Sequence, residues 1–251
     1  MLLVAAAAFA IDPVLESYSE GVVDWTNFRL VVHASSAGST GAMSNVESAE
    51  GDARSQLEPR VEALARAVRI DHERTAGQLL DAGDAVADRL ERNLAYWEVY
   101  EARYLASGGV ELDAALALQR WLRPALVTMA TMAERPPVAG GASGAIVDAR
   151  GLEVRCAVSP EFVDTAGAHL YSIADMTGHA GSLRPPVVYV HDPADPVASR
   201  RAGVTPVFLR PESVRNGSDL VFGAEASAKL RELVTTSDVL RNGTVVVVVG
   251  P

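Results

Sequence analysis

A run of five valines, Val245 to Val249, constrains the fold of this chain more than any other feature. It follows Asn242-Gly243, a pair typical of tight turns. β-branched residues favour extended backbone, and a run without a polar position predicts a strand that is buried on both faces. The end of the sequence therefore has to lie within a sheet that carries other elements on each side.

The segment Gly144 to Pro160 is predicted to open the block that ends in these valines. Two β-rich runs within it, Ala145 to Val147 and Leu152 to Val158, flank Asp148-Ala149-Arg150-Gly151. Because glycine accepts the positive φ that a tight reversal needs, this pattern predicts a hairpin. We expect the strands that follow to return to it.

Further strands and one helix are predicted between this hairpin and the valines. The helix covers Ala224 to Val234, with Leu230 and Leu233 on its inner face. Asn216-Gly217 is a strong hairpin signal, so it should join the last two of the predicted strands. Phe162 to Tyr171 is predicted to hold the turn Asp164-Thr165-Ala166-Gly167 between short strands, and the remaining strands are Val187 to Val190, Val204 to Val214 and Asp219 to Phe222.

The first half of the sequence mixes strand and helix signals. Phe28 to Ala34 predicts a strand, whereas Ser36 to Gly51 has no apolar periodicity and predicts a mobile loop. Two helices follow, and Pro59 is expected near the start of the first, where proline is tolerated. Their apolar stripes are Leu57, Val61, Leu64 and Val68, and then Leu79, Val86, Leu90 and Leu94.

A second hairpin is predicted at the end of the first half. Its arms are Tyr96 to Leu105 and Val110 to Leu118, joined by Ser107-Gly108-Gly109. The second arm alternates apolar and polar residues, as a half-buried strand does. A short helix is expected from Trp121, which Pro124 either starts or interrupts.

The predicted fold class is α+β, with two small domains that each have a mostly antiparallel sheet with packed helices. The first domain covers residues 21–135 and the second covers residues 144–251. Residues 136–143 combine a proline pair with glycines and predict a linker. Residues 1–20 are assigned to a truncated signal segment and an N-terminal arm.

The charge of the chain argues against two classes of partner. The formal net charge is -10. Residues 1–135 contain 12 basic and 20 acidic residues, net -8, whereas residues 136–251 contain 10 and 12, net -2. An acidic chain repels phosphate backbones and anionic lipid headgroups, so we expect no binding to nucleic acid and no charge-driven binding to membranes.

The N-terminal sequence MLLVAAAAFA indicates export. It ends in Ala8-Phe9-Ala10, which has the small-x-small form of a signal cleavage site, so the mature protein is expected to begin near Ile11. The run has no basic residue, and the alternative is an apolar strand or helix of the folded protein. We expect no transmembrane segment, because a spanning helix needs about 20 apolar residues. The single cysteine, Cys156, gives no N-terminal lipid attachment site and no internal disulfide.

The turn from His191 to Pro196 carries the strongest candidate metal site. His191, Asp192 and Asp195 supply an imidazole and two carboxylates, which a metal-dependent hydrolase would use as ligands. Two prolines in six residues favour a rigid turn instead, and that is our main interpretation. The residues Asp71-His72-Glu73 offer the same choice between a metal site and a solvated turn.

Catalytic motifs are absent from the sequence. It has no Gly-x-Ser-x-Gly, no His-Glu-x-x-His and no Gly-x-Gly-x-x-Gly after a strand. Gly38-Ser39-Thr40-Gly41 lacks the lysine of a phosphate loop. Cys156 falls in a predicted strand and is interpreted as a small core residue. We therefore predict a protein that is not an enzyme, with no catalytic residue and no cofactor.

Two sets of residues carry a family resemblance. Asp24-Trp25 before the first strand and the hairpin sequence ARYLASGGVEL at residues 102–112 resemble the bacterial outer-membrane lipoproteins of the twenty-kilodalton Lpp type. This half is also distantly similar to flagellar assembly protein T. Residues 144–160, 201–208 and 218–222 resemble a C-terminal module that is associated with the first domain in envelope proteins.

The resemblance implies a location more firmly than an activity, because the matching residues are turns and strands. It implies a protein that is periplasmic or associated with the outer membrane. Its expected partners are envelope proteins or flagellar basal proteins. The expected role is structural, in assembly or in binding.

Replacing Val247 by Asp should unfold the second domain. A buried side chain of this size contributes about 1.5 to 3 kcal/mol, and a buried carboxylate without a partner adds a further cost. A whole domain has only about 5 to 15 kcal/mol of stability. We expect thermal unfolding to show loss of the second domain's transition while the first domain stays folded. A wild-type transition in this variant would mean that the valine run is an exposed edge or tail.

Overall fold

The computed structural model describes residues 12–37, 44–130, 138, 141–177 and 184–250. The predicted cleavage site at Ala8-Phe9-Ala10, the sequence Gly38-Ser39-Thr40-Gly41 and half of the predicted linker lie outside these residues.

A five-stranded antiparallel sheet forms the centre of the first half. Its strand order is β1-β2-β3-β5-β4. The predicted strand and the predicted hairpin are both confirmed, as β3 and as the β4–β5 pair. The bounds are β1 Leu15–Ser17, β2 Val22–Asp24, β3 Arg29–Ser36, β4 Glu98–Tyr104 and β5 Val110–Ala117.

The longest helix, α1 (Ser44–Ala67), packs on β3 and β5. The predicted loop is wrong from Ser44 onward, and Pro59 lies well inside the helix instead of near its start. Ala49 and Ala53 are buried and extend the apolar stripe two turns before Leu57. Alanine gives a weak periodic signal in sequence, so packing against the sheet decides where this helix begins.

The second predicted helix is two helices, α2 (Ala76–Leu80) and α3 (Ala85–Leu94). Gly83 has a positive φ of 65°, which breaks the helical path. Asp84 then caps α3 by accepting from the first amides of that helix. The helix expected from Trp121 is α4 (Leu118–Met129), and Pro124 lies inside it.

The valine run forms a central strand, as predicted. In the second half a four-stranded sheet has the order β10-β6-β13-β9, and every residue of β13 is buried. All neighbouring strands in this sheet are parallel, so the expectation of a mostly antiparallel sheet is wrong here. The bounds are β6 Gly144–Asp148, β9 Val187–Val190, β10 Pro206–Leu209 and β13 Val245–Val248.

The two faces of β13 enter different apolar layers. Val245 and Val247 belong to the large core, whereas Val246 and Val248 pack in a smaller layer with α5 (Pro196–Ala202). Alternation of side chains along a strand produces this division. The run is therefore uniformly valine because both of its faces are covered.

A second, mixed sheet completes this half, with the order β11-β12-β7-β8 and the helix α6 (Ala224–Thr236). The predicted hairpin at Asn216-Gly217 is confirmed as the β11–β12 pair. The predicted strand from Val204 to Val214 is wrong, because it divides between two sheets at Arg210-Pro211, where proline has no N–H for a ladder. The bounds are β7 Phe162–Asp164, β8 His169–Tyr171, β11 Ser213–Arg215 and β12 Asp219–Phe222.

The hairpin predicted within Gly144 to Pro160 does not form. Both edges of β6 are already paired, with β10 and β13, so no edge remains for a returning strand. The segment Leu152 to Val158 instead crosses to the first half, where the Val158 amide donates to the Arg69 carbonyl at 2.9 Å. Cys156 is buried but lies outside any strand.

Helices packed on one antiparallel, one parallel and one mixed sheet confirm the α+β class. Buried residues from both halves form one continuous core cluster. At the junction the rings of Trp25 and Tyr189 meet at 5.9 Å in an edge-on contact. The division into domains at 21–135 and 144–251 stays a prediction.

Replacing Thr26 by Val should weaken the junction between the halves. The Thr26 hydroxyl accepts from the Val14 amide at 2.8 Å and donates to the Tyr189 carbonyl at 2.7 Å. Valine keeps the shape but leaves two buried polar groups without a partner, at a cost of about 1 to 3 kcal/mol each. Urea unfolding monitored by tryptophan fluorescence should measure this loss.

The matched control is Thr128→Val. Thr128 is exposed, and its hydroxyl donates only to the Pro124 carbonyl of the same helix. A change below about 0.5 kcal/mol is expected there. Equal effects of the two variants would show that the Thr26 bridge contributes nothing specific.

Candidate functional site

The structure places His191, Asp192 and Asp195 in one turn but gives each side chain a backbone partner. Asp195 caps α5 by accepting from the Val197 amide at 2.6 Å, and Asp192 accepts from the amide two residues further on at 2.8 Å. His191 Nδ1 lies 3.3 Å from the Val249 carbonyl. Within the described ranges, no three His, Cys, Asp or Glu side chains form a group that could hold a metal ion.

The second histidine candidate, His72, connects the two halves. Asp71 accepts from the amides of Glu73 and Arg74, which closes the turn. His72 Nδ1 lies 3.0 Å from Oδ2 of Asp219, a fully buried carboxylate on β12. The sequence could not indicate this pair, because its members belong to different halves of the chain.

A cleft of about 740 Å³ opens at the carboxyl ends of β9 and β13. His191 and Val249, which directly follow these strands, line it together with Glu16, Trp25 and Cys156. Crevices beyond the carboxyl ends of parallel strands are frequent ligand sites in sheets of this kind. The position therefore makes the cleft a candidate binding site.

Glu16 and Trp25, two polar side chains that line this cleft, are already engaged. Arg69 lies 3.0 Å from the Glu16 carboxylate, and the Trp25 indole N–H donates to the same carboxylate at 3.0 Å. Burial favours the neutral acid, but the hydrogen bond and charge of Arg69 outweigh it and lower the pKa of Glu16. Burial raises the pKa of the Cys156 thiol, so this group stays protonated near neutral pH.

A different surface is open and strongly charged. We call it the outer face, the side of the first sheet that points away from α1. Its central pair is His33 and Asp113, which lie opposite each other on β3 and β5, with Nδ1 and Oδ1 2.9 Å apart. The residues of the outer face are Arg29, His33, Tyr100, Glu101, Arg103, Glu111 and Asp113.

Arg103 is the hub of the outer face. Its guanidinium donates to Glu101 at 2.6 Å, to Asp113 at 2.8 Å and to Glu111 at 2.9 Å. These hydrogen bonds raise the pKa of Arg103, and the bond to Glu111 contributes most. One cation thus holds three carboxylates, so the centre of the outer face carries excess negative charge.

Tyr100 adds an aromatic ring to this acidic surface. Its side chain is 54% exposed, although it is a large hydrophobic group. Partial burial, followed by the charge of Asp113, raises the pKa of its hydroxyl. A register shift between Val99 and Glu101 interrupts the alternation of β4 at Tyr100. The sequence pattern predicted the hairpin but gave no signal for this irregularity.

The fold defines an α+β protein in which an antiparallel sheet with helices joins a second unit that contains a parallel sheet. Residues 144–251 match the family model described as Treponema pallidum Tp0624, second domain. A comparison with curated proteins found no match to the chain. The family match concerns the second unit alone, so the resemblance of the first unit to Lpp-type lipoproteins and flagellar assembly protein T stays a prediction. Among the helices described here, none is long and apolar enough to cross a membrane.

A histidine with two carboxylate partners lies in the second unit. His169 Nδ1 is 2.9 Å from Glu161 Oε1, and its Nε2 is 2.7 Å from Asp175 Oδ2. Burial opposes the charged imidazole, but the hydrogen bonds and charges of Glu161 and Asp175 outweigh it and raise the pKa of His169. Protonated His169 therefore stabilises the folded state.

The His169→Gln variant should lose stability mainly at low pH. A raised folded pKa gives stability that is complete below the ordinary pKa of about 6.5 and disappears as the pH rises through the folded value. The difference in unfolding free energy between wild type and variant should therefore be largest below about pH 6.5 and shrink as the pH rises above it, as measured by urea unfolding.

Arg231→Gln is the matched control. Arg231 pairs with Asp164 at 2.6 Å, and arginine side chains are effectively always charged in proteins. Its effect should be constant with pH. A constant effect of His169→Gln as well would contradict the assignment of a protonated imidazole.

Proposed function

We propose that this chain is a non-enzymatic protein of the cell envelope that docks other proteins through the outer face. The observation that carries the proposal is the open acidic network around Arg103, which includes an exposed tyrosine and faces away from the core. The helix α1 packs on the opposite side of this sheet and leaves the outer face uncovered.

The energetics of the outer face suit recognition better than stability. Exposed ion pairs contribute only about 0 to 1 kcal/mol to folding, since water already solvates the separate charges. Arg103 is 39% exposed and Glu101 is 52% exposed, so this network remains accessible to solvent. Arginine and tyrosine are also enriched where proteins meet.

The charge of the first half indicates the chemistry of the partner. Residues 1–135 carry a net charge of -8, against -2 for the remainder. Negative potential speeds encounter with a basic surface and repels nucleic acid. Binding through this face should therefore weaken as salt screens the charges.

The proposed location rests on the resemblance and on the apolar N-terminal sequence. Two features that carry the resemblance are structural, since Trp25 is fully buried and residues 102–112 lie in the β4–β5 hairpin. Lpp-type lipoproteins and flagellar assembly protein T are envelope proteins. We therefore propose export to the periplasm, with envelope or flagellar basal proteins as the partners.

The alternative function is a metal-dependent hydrolase that uses His191, Asp192 and Asp195. The position of His191 in the cleft beyond β9 favours it. Against it, Asp192 and Asp195 accept hydrogen bonds from backbone amides of their own turn. The docking function has more support, because the groups on the outer face are exposed.

Site-specific crosslinking should test the docking function. A photoreactive phenylalanine derivative in place of Tyr100 is expected to give a discrete adduct with an envelope protein in native cells. The double variant Glu98→Lys and Glu101→Lys, which reverses two exposed charges, should reduce that adduct about tenfold. Mass spectrometry of the adduct identifies the partner.

The control position for the crosslinker is Glu232, an exposed residue of α6 in the second unit. It should give no adduct with the same protein. Equal adducts at both positions, or an adduct insensitive to the two lysines, would contradict docking through the outer face. Hydrolysis by the purified protein that His191→Ala abolishes would support the enzyme instead.

A further inference from the structure

The parallel sheet has one edge whose hydrogen-bonding groups face outward without a described partner. β10 is the end strand and pairs only with β6. The Thr205 carbonyl accepts from the Ser143 amide, so it faces β6. Backbone groups alternate along a strand, which means that Val207 and Leu209 also face β6. The N–H and C=O of Phe208 therefore face away from the sheet.

The side chain at this edge is also uncovered. Phe208 lies opposite Ile146 in the register, on the face that α5 covers. α5 contacts β6, β9 and β13, and the Phe208 ring lies beyond it with 64% of its surface exposed. Val204, just before the strand, is 94% exposed. The apolar layer under α5 thus continues to an open edge.

Two arginines lie at the carboxyl end of the same strand. Arg150 forms an ion pair with Asp148 at 2.7 Å, and Arg210 is also near that carboxylate. Arg210 is exposed and has no ion pair within the part of the chain that the structure describes. Two arginines therefore share one aspartate, and a cleft of about 370 Å³ lies between them. Glu212 also lines this cleft, but its carboxylate lies against Gly223 at the start of α6.

We propose that the β10 edge binds an extended segment of a partner protein by strand addition, with an acidic residue of that segment placed against Arg210. Backbone hydrogen bonds would form at Phe208, and an aromatic or β-branched side chain of the segment would pack on its ring. This surface is separate from the outer face and lies in the other half of the chain.

The edge strand β4 of the first sheet is also exposed, but it carries features that prevent the pairing of further strands. β4 carries a register shift and the charged residues Glu98, Glu101 and Arg103. Charges and bulges on an edge strand oppose added strands. Residues 205–209 contain no charge and no bulge; Pro206 has no N–H to donate, so pairing at the β10 edge depends on Phe208.

A second copy of the chain is a less suitable occupant. In a symmetric dimer, two β10 strands would pair antiparallel through their outward backbone groups. Arg210 would then lie opposite Pro206 or Val204 of the second copy, and neither is acidic. An acidic segment from a different protein satisfies both the backbone and the charge.

The test uses the whole chain and the synthetic peptide acetyl-TVTFTVEE-amide. Nuclear magnetic resonance should show that the Phe208 amide becomes protected from hydrogen exchange on peptide addition, whereas the Val207 amide is protected beforehand. Arg210→Glu should weaken binding about tenfold and shift the preference to acetyl-TVTFTVKK-amide. Phe208→Pro removes the outward N–H and leaves the bonds to β6, so it should abolish binding.

Phe208→Ala separates the ring from the N–H. It should weaken binding and keep the protection of the amide at position 208. Exchange of the remaining β6 and β13 amides checks that each variant is folded. The proposal is overturned if the peptide gives no protection in the folded wild type, if both peptides bind equally, or if the amide is already protected in a dimer. Crosslinking through Tyr100 is independent of these outcomes.

Discussion

The junction of the two halves depends on how an outward-facing, buried carbonyl of one edge strand is satisfied. β9 ends the parallel sheet on the side opposite β10, and its Val190 carbonyl accepts from the Val249 amide, so the Tyr189 carbonyl faces away from the sheet. Thr26, in the turn between β2 and β3, donates to that carbonyl at 2.7 Å. An unpaired buried carbonyl would cost about 1 to 3 kcal/mol. The first half thus closes one edge of the second.

Because the β9 edge is covered, the proposed binding surfaces lie elsewhere on the chain. Trp25 packs on Tyr189 beside the Thr26 bridge, and both rings are almost fully buried. The outer face in the first half and the β10 edge in the second are two surfaces that stay open. The former is acidic around Arg103, whereas the latter is apolar and ends at Arg210. Two surfaces of unlike chemistry would allow one chain to contact two different proteins.

Local patterns predicted the elements whose environment is uniform along the chain. The valines of β13 are buried on both faces, and the alternating β5 is buried on one, so each pattern records its own packing. The Asn216-Gly217 turn was predictable because its two positive φ angles depend on the residues themselves. The candidate turn at His191 was found, but the hydrogen bonds that occupy its carboxylates depend on the start of α5.

Side-chain periodicity and turn chemistry are local, so they suffice to predict the α+β class, the β4–β5 hairpin and the burial of the valine run. Strand direction, the path of residues 152–158 and the pairing of His72 with Asp219 depend on long-range packing instead. A β-rich run can pair on either side and in either direction, and the free edges available to it decide which. For β6 both edges were taken by strands far along the chain, which no local pattern records.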